Sequence, residues 1–272
     1  MNNLKLNNGV SMPQLGFGVW QVPDAEATPA VAEALKAGYR SIDTAAIYGN
    51  EGGVGEAIAG FDREELFITT KLWNADQGYD STLRAFDESL KKLKLDTLDL
   101  YLIHWPTPAR DLYVDTWKAF AELQKEGRVR AIGVSNFQPA HLRRLIDETG
   151  VVPAVNQVEL HPYLQQGELR EFHAQHGILT EAWSPLGQGG ELLSDPVVAK
   201  IALAHGRSAA QVVLRWHLQI GNIVIPKSVT PSRIRENIDV FDFELATAEI
   251  EALSTLDRGG RIGPNPDTFN EA

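Results

Sequence analysis

Leu98-Asp99-Leu100-Tyr101-Leu102-Ile103-His104 is a short, mostly apolar run that ends on a polar side chain. Its length and apolar content read as a buried strand rather than a helix. The design recurs in Ser41-Ile42-Asp43, Phe67-Ile68-Thr69-Thr70-Lys71, Ala131-Ile132-Gly133-Val134-Ser135-Asn136, Ala154-Val155-Asn156-Gln157, Ile178 to Ser184 and Ile223-Val224-Ile225-Pro226-Lys227. Leu15 to Trp20 makes an eighth run. Helical periodicity fills the intervals: Ala30-Val31-Ala34-Leu35 stops at Gly38, Leu83-Phe86-Leu90-Leu93 has a similar spacing, and Trp117-Phe120-Leu123 ends at Gly127. Strand and helix alternating from end to end imply βαβ units and a parallel sheet. Eight such units in 272 residues favour a closed (β/α)8 TIM barrel over an open doubly wound sheet. Asn8-Gly9, between Leu4-Lys5-Leu6 and Val10-Ser11-Met12, reads as an N-terminal β-hairpin. No Pro/Ser-rich linker or charge block interrupts the alternation, so residues 1–272 read as a single domain.

Composition narrows the classes. The chain has 36 acids against 25 bases, a net charge of −11, and no cysteine. The acidic balance argues against nucleic acid as a partner, because phosphate-backbone binding draws on clustered cations. It leaves room for an anionic ligand in a locally basic pocket. Disulfides, thiolate metal sites and a cysteine nucleophile are excluded. With no secretory signal and no apolar run near the ~20 residues of a membrane span, a cytoplasmic protein is expected, without a membrane partner.

In a (β/α)8 barrel the C-terminal ends of the strands share one face, and that face holds the active site. Asp43, Lys71, His104, Asn136, Gln157, Ser184 and Lys227 are therefore expected to meet there. Any one of them alone reads more simply as a helix N-cap or a satisfied core group. Seven in seven strands, including two lysines and a histidine, point to a pocket. Known motifs are missing. Gly16-Phe17-Gly18 finds Gln21 where a dinucleotide turn needs glycine, and Gly53-Val54-Gly55 finds Ile58. There is no Walker lysine, no Gly-x-Ser-x-Gly and no His-Glu-x-x-His, so no metal is expected. His173 and His176 read as an exposed helix face, and the Asp96/Asp99 pair as solvated loop charges.

Asp43-Thr44-Ala45-Ala46-Ile47-Tyr48 places a tyrosine five residues beyond a carboxylate, with Lys71 and His104 closing the next two strands. A tyrosine titrates near pH 10, and a neighbouring ammonium lowers that value, which suits a proton donor for a carbonyl oxygen.

The motifs Gly38-Tyr39-Arg40-Ser41-Ile42-Asp43-Thr44-Ala45, Tyr48-Gly49-Asn50-Glu51, Thr69-Thr70-Lys71-Leu72-Trp73, His104-Trp105-Pro106, Val134-Ser135-Asn136-Phe137, Asn156-Gln157-Val158-Glu159 and Ile225-Pro226-Lys227-Ser228 run along essentially the whole chain. In this order they resemble the aldo-keto reductase superfamily, and within it the bacterial 2,5-diketo-D-gluconic acid reductases. The resemblance implies NADPH held without a Rossmann domain, and reduction of small polar carbonyl compounds: diketo acids, dicarbonyls and aldehydes. It implies Tyr48 as proton donor, tuned by Lys71 and Asp43, with His104 orienting the carbonyl. Ser135, Asn136 and Gln157 match carboxamide contacts, and Trp183 the aromatic stacked on the nicotinamide. Ser184, Pro185, Leu186, Gly187 and Gln188 match the pyrophosphate loop. Lys227, Ser228, Arg233 and Asn237 match contacts to the 2′-phosphate and adenine, while Arg235 reads as a solvated helix face.

Trp20, Trp73 and Trp105, beside His104, are expected to wall the substrate pocket, with a short C-terminal tail over the active-site face. The partners are then a small carbonyl substrate and no second chain, a monomer. Two other classes stay open: a regulatory or structural barrel that binds NADPH with little turnover, and a lyase that forms a Schiff base on Lys71.

Overall fold

The computed structural model describes residues 2–272. The chain begins with an antiparallel hairpin, β1 (Asn3–Lys5) and β2 (Ser11–Pro13), turning at Gly9 with φ of 88°. Eight parallel strands follow: β3 (Phe17–Gly18), β4 (Ser41–Asp43), β5 (Phe67–Leu72), β6 (Leu98–Ile103), β7 (Val129–Ser135), β8 (Val155–Glu159), β9 (Leu179–Trp183) and β10 (Ile223–Val224). Each pairs with the next in chain order. The sheet closes because Gly16 N donates to Val224 O at 2.8 Å, Val224 N to Gln14 O at 3.0 Å and Gly18 N to Pro226 O at 3.2 Å. A closed barrel has no free edge to template aggregation.

The helices lie outside: α1 (Asp24–Ala37), α2 (Glu51–Ile58), α3 (Tyr79–Leu93), α4 (Tyr113–Lys125), α5 (Pro139–Thr149), α6 (Gly167–His176), α7 (Pro196–His205), α8 (Ala209–Gln219), α9 (Pro231–Ile238) and α10 (Thr247–Ser254). Gly38, with φ of 108°, ends α1 as the sequence implies, and its N–H caps the carbonyls of Ala34 and Leu35. No single helix among the described residues is long and apolar enough to cross a membrane.

Two cores result. The larger lies between the helices and the outward faces of the strands, and contains Leu35, Phe86, Trp117 and Phe120. The smaller fills the lower barrel with Phe67, Leu100, Leu102, Val155 and Ile223, and Leu6 and Met12 of the hairpin segment plug it from below. Side chains alternate along a strand. The inward face of β5 therefore runs Phe67, Thr69, Lys71; that of β8 runs Val155, Gln157; that of β9 runs Leu179, Glu181. The barrel is apolar below and polar above.

Several expectations shift. Strands β3 and β10 are shorter than read, which leaves Trp20 and Lys227 just beyond regular pairing, although Gly18 still bridges Lys227. Gln157 lies two residues before the end of β8. Asp99 is not a solvated loop charge: it is fully buried in β6 and accepts from Ile68 N, Arg63 and Arg130 at 2.7–2.8 Å. His173 is not exposed. It is buried between Asn156 and Thr180, and burial holds it neutral. No group of three or more metal-binding side chains exists among the described residues.

Helix α2 approaches α3 closely because Gly55 has no side chain. A Cβ there would stand 2.7 Å from Lys92 O and 2.8 Å from Leu93 O, both immobile backbone atoms. Gly55→Ala is expected to destabilise the fold by about 1–3 kcal/mol despite alanine's better helix propensity. At Gly60, whose added Cβ meets nothing within 4 Å, alanine is expected to be neutral. Thermal melts of the two variants check this, and equal melting temperatures would refute it.

Candidate active site

Three strand-end residues, Asp43, Lys71 and His104, converge as expected, together with Tyr48 from the turn after β4. Asp43, the last residue of β4, accepts from Lys71 Nζ at 2.6 Å, and the same ammonium donates to Thr44 O at 2.9 Å. Neither Asp43 nor Ser135 nor Asn136 caps a helix, so the simpler capping role does not hold for them. Lys71 is completely buried. The Tyr48 ring lies 5.1 Å from its Nζ and meets the His104 ring edge-on at 5.7 Å. A short helical turn, Ala46–Tyr48, brings the tyrosine back over β4 after Asp43. Trp73 stands edge-on to the other side of His104 at 5.4 Å.

Burial sets the protonation states. It raises Tyr48 above its ordinary value, and the Lys71 charge offsets only part of that rise. The sequence reading of an acidified phenol is therefore corrected: Tyr48 keeps its proton throughout the neutral range. His104 moves the other way: burial and the Lys71 charge hold it well below 6.5, a neutral imidazole whose Nδ1 has no partner. A neutral ring can donate one hydrogen bond but is a poor source of a proton. Desolvation lowers Lys71, but the charge and hydrogen bond of Asp43 oppose it, and the balance lies on the charged side. A fifth group, overlooked in the sequence, completes the cluster. Glu181 of β9 is fully buried, and burial plus the nearby Asp43 push its carboxyl up to about 8. With Glu181 protonated, Asp43 and Lys71 balance.

A cleft of about 1280 Å³ opens above this cluster. Every residue singled out from the sequence lines it except Lys71, which lies behind Tyr48, and Gly187, buried beneath its own loop. Trp20, Tyr48, Trp73, His104 and Trp105 sit at one end with Asp43. Ser135, Asn136, Gln157 and Trp183 lie on the strand ends between, and Asn136 accepts from Trp183 Nε1 at 2.8 Å. Ser184, Pro185, Leu186 and Gln188 line it next; Lys227, Ser228, Arg233 and Asn237 belong to the β10–α9 side.

Backbone strain gathers on this cleft. Gln21, Asn136, Ser184 and Gln188 line it with φ between 47° and 65°, a region that side-chain-bearing residues rarely adopt. Such strain persists where the surroundings impose it, and it clusters at ligand clamps. The 184–189 loop winds Ser184, Gly187, Gln188 and Gly189 through this region in tight turns, with Gly187 N donating to Ser184 O at 2.9 Å and Gly189 N to Leu186 O at 3.1 Å. Arg233 and Lys227 are exposed and make no ion pair with any described residue, whereas Arg235 is held by Glu33. The solvated reading of Arg235 thus holds, with an ion pair added.

The C-terminal tail is the part that sequence periodicity could not place. Glu159 accepts from Ile262 N at 2.7 Å and Gly263 N at 2.8 Å, and His161 holds that carboxylate at 3.0 Å. Farther on, Phe269 packs 4.5 Å from Trp105, Asn270 accepts from Ala109 N, and Asn74 donates to Glu271 O. The tail is strapped across the barrel mouth, and Ile262, Gly263 and Pro264 form part of the cleft wall. A Cβ on Gly263 would lie 2.5 Å from Trp183. Ile47, Gln21 and Ser208 also line the cleft without having been foreseen.

Comparison with known proteins agrees with this geometry. The sequence model of the Aldo/keto reductase family matches residues 12–258. An aldo-keto reductase of Mycobacterium sp. (strain KMS) is 61% identical over 267 residues, covering 97% of this chain and 96% of the relative. Methylglyoxal reductase DkgA of Escherichia coli (strain K12) is 56% identical over 269 residues, 98% of this chain and 97% of the relative. Among solved structures, a mutant of Gox0644 in complex with NADPH superimposes with a TM-score of 0.96 at 56% identity, covering 98% of each chain. A barrel closed strand by strand, a buried Asp–Lys pair beneath a tyrosine and a match over most of the chain lead to one assignment: this chain belongs to the aldo/keto reductase family.

Proposed function

We propose that this chain, acting as one domain and as a monomer in the cytoplasm, reduces small polar carbonyl compounds with NADPH. The observation that supports this best is the meeting of Asp43, Lys71, Tyr48 and His104 at one end of a cleft whose far side carries two unpaired cations. The residues present fit the cofactor. Gln157 and the 184–189 loop offer polar groups along the cleft, and Lys227, Ser228 and Arg233 offer two charges and a hydroxyl to a phosphate dianion beside α9.

The chemistry drawn from bound NADPH is a hydride, which adds to the carbonyl carbon as NADPH becomes NADP+. The protein's task is at the oxygen. Neutral His104 donates a hydrogen bond that orients the carbonyl, and Tyr48 passes its proton to the oxygen as negative charge develops there. Lys71 stabilises the phenolate left behind, and Asp43 keeps Lys71 charged and in place. Reprotonation of Tyr48 from solvent restores the site. The same contacts weigh against a Schiff-base lyase, since Lys71 is a paired ammonium rather than a free amine. The intact cluster likewise favours turnover over a purely regulatory role.

At the substrate end the cleft is walled by Trp20, Ile47, Trp73, Trp105 and Ile262, and it has no free cation. Indole N–H groups can donate to small oxygen-rich ligands. A carboxylate would find no ion-pair partner there. Uncharged dicarbonyls such as methylglyoxal suit this end best, with short aldehydes next and diketo-sugar acids behind them.

Three outcomes are expected. Tyr48→Phe lowers kcat by at least about 10²-fold while NADPH still binds, since general acid catalysis contributes about 10²–10⁴-fold. Near-normal turnover in that variant would end the mechanism. Arg233→Ala weakens NADPH at least about tenfold, some 1.4 kcal/mol, and leaves NADH nearly unchanged. Fluorescence titration of both cofactors measures this, and equal losses would count against a 2′-phosphate contact. Side-by-side kcat/KM values are expected to rank methylglyoxal above 2,5-diketo-D-gluconate, and both above a long alkanal or a ketosteroid; the reverse order would overturn the pocket argument alone.

A further inference from the structure

Gln157, like Asn136, is an amide of the cleft whose orientation is forced. Its Nε2 donates to Asp43 Oδ2 at 2.8 Å and to Glu181 Oε2 at 2.9 Å. Asp43, ionised against Lys71, can only accept, so the nitrogen must face it and the oxygen must face away; protonated Glu181 then accepts from the second N–H through Oε2. That oxygen has no partner among the described residues, and Gln157 lines the cleft. The neighbouring polar groups are already engaged. Ser135 Oγ donates to Gln157 O at 2.8 Å, and Asn136 Nδ2 donates to His104 O and to Ser135 Oγ.

The Glu181 side chain makes no other hydrogen bond among the described residues. Its second oxygen, Oε1, is buried and unpartnered. Burying a carboxyl group with so little compensation is costly, and Glu181 takes no part in the proton transfer. Its single hydrogen bond is the one that occupies the second N–H of Gln157.

We propose that Glu181 is a positioning residue for the cofactor: by holding the second N–H of Gln157, it makes the Gln157 oxygen a dedicated acceptor for a carboxamide NH2. This rests on the reading that places the nicotinamide beside Ser135, Asn136 and Gln157. Asp43 alone can occupy only one of the two N–H bonds, and the other would then be free to turn toward the ligand. With both occupied, the site recognises an amide and rejects a carboxylate, because an acceptor facing an anion leaves both without a donor.

The test compares three ligands by fluorescence titration: NADPH, its deamido counterpart carrying a carboxylate in place of the carboxamide, and adenosine 2′,5′-bisphosphate. Wild type is expected to bind NADPH at least about tenfold more tightly than the deamido form. Glu181→Met, similar in length but without an oxygen, shrinks that ratio at least about threefold while bisphosphate affinity stays the same. Glu181→Gln, which retains an acceptor oxygen, keeps the ratio. Should the methionine variant fail to bind the bisphosphate, Glu181→Thr, too short to reach Gln157, replaces it with the same expectation. A wild-type ratio near one, or an unchanged ratio in the variant lacking the acceptor, overturns the proposal. Gln157→Ala separates the two levels. If it weakens NADPH while the Glu181 variants do not, the positioning role alone fails; if it leaves NADPH affinity unchanged, the placement of the nicotinamide fails as well.

Discussion

A lysine ammonium sealed inside the barrel, 2.6 Å from a single carboxylate, sets the terms for every group around it. An ion of that kind has lost its water, and removing either partner strands the other at a cost of about 3–5 kcal/mol. The Asp43–Lys71 pair therefore admits no further net charge. Glu181 holds its proton up to about 8, His104 is kept neutral in part by the Lys71 charge, and Tyr48 retains its phenolic proton. A loaded acid, a neutral hydrogen-bond donor and a fixed cation are thus consequences of burial first and of the pair's charges second. They need no separate devices.

That pair is possible because the barrel is divided. Below it, Phe67, Leu100, Leu102 and Val155 fill the interior as a dry core, closed by Leu6 and Met12. Above it, the same inward faces carry Lys71, Gln157 and Glu181. Stability resides in the lower barrel and in the helix-to-strand shell, so the upper rim can hold strained and polar structure. The tail completes the rim. The Glu159 carboxylate anchors it at Ile262 and Gly263, and only glycine leaves room beside Trp183.

What could be read from residue order follows from this division. Regular strands and helices announce themselves by period, and residues at strand ends must share a face, so the barrel and all but two of the cleft-lining assignments were legible. The groups misjudged were those whose environment depends on distant chain. Asp99 looks like a loop charge until Arg63 and Arg130 close on it, and His173 looks exposed until Asn156 and Thr180 bracket it. Glu181 sits inside an apolar-flanked strand, where only its alternation with Leu179 and Trp183 marks it as inward-facing. The tail has no period at all. The fall expected in the Tyr48 pKa came from weighing the ammonium without the burial that accompanies it.

The charge distribution along the cleft adds a further constraint. The protein carries −11 overall, yet the rim at α9 presents Arg233 and Lys227 without ion-pair partners. The end at Tyr48 has its one cation, Lys71, neutralised by Asp43, and its walls are aromatic and aliphatic. Under the proposed function, an elongated ligand with anionic and neutral ends would favour one direction, phosphate toward Arg233 and neutral ring toward Tyr48. Reversal would place a dianion against a paired lysine in a low-dielectric pocket and leave two cations unanswered. On the proposed reading, the polarity of binding follows from where the chain leaves its cations unpaired, and it would bring the hydride donor to the same end as Tyr48.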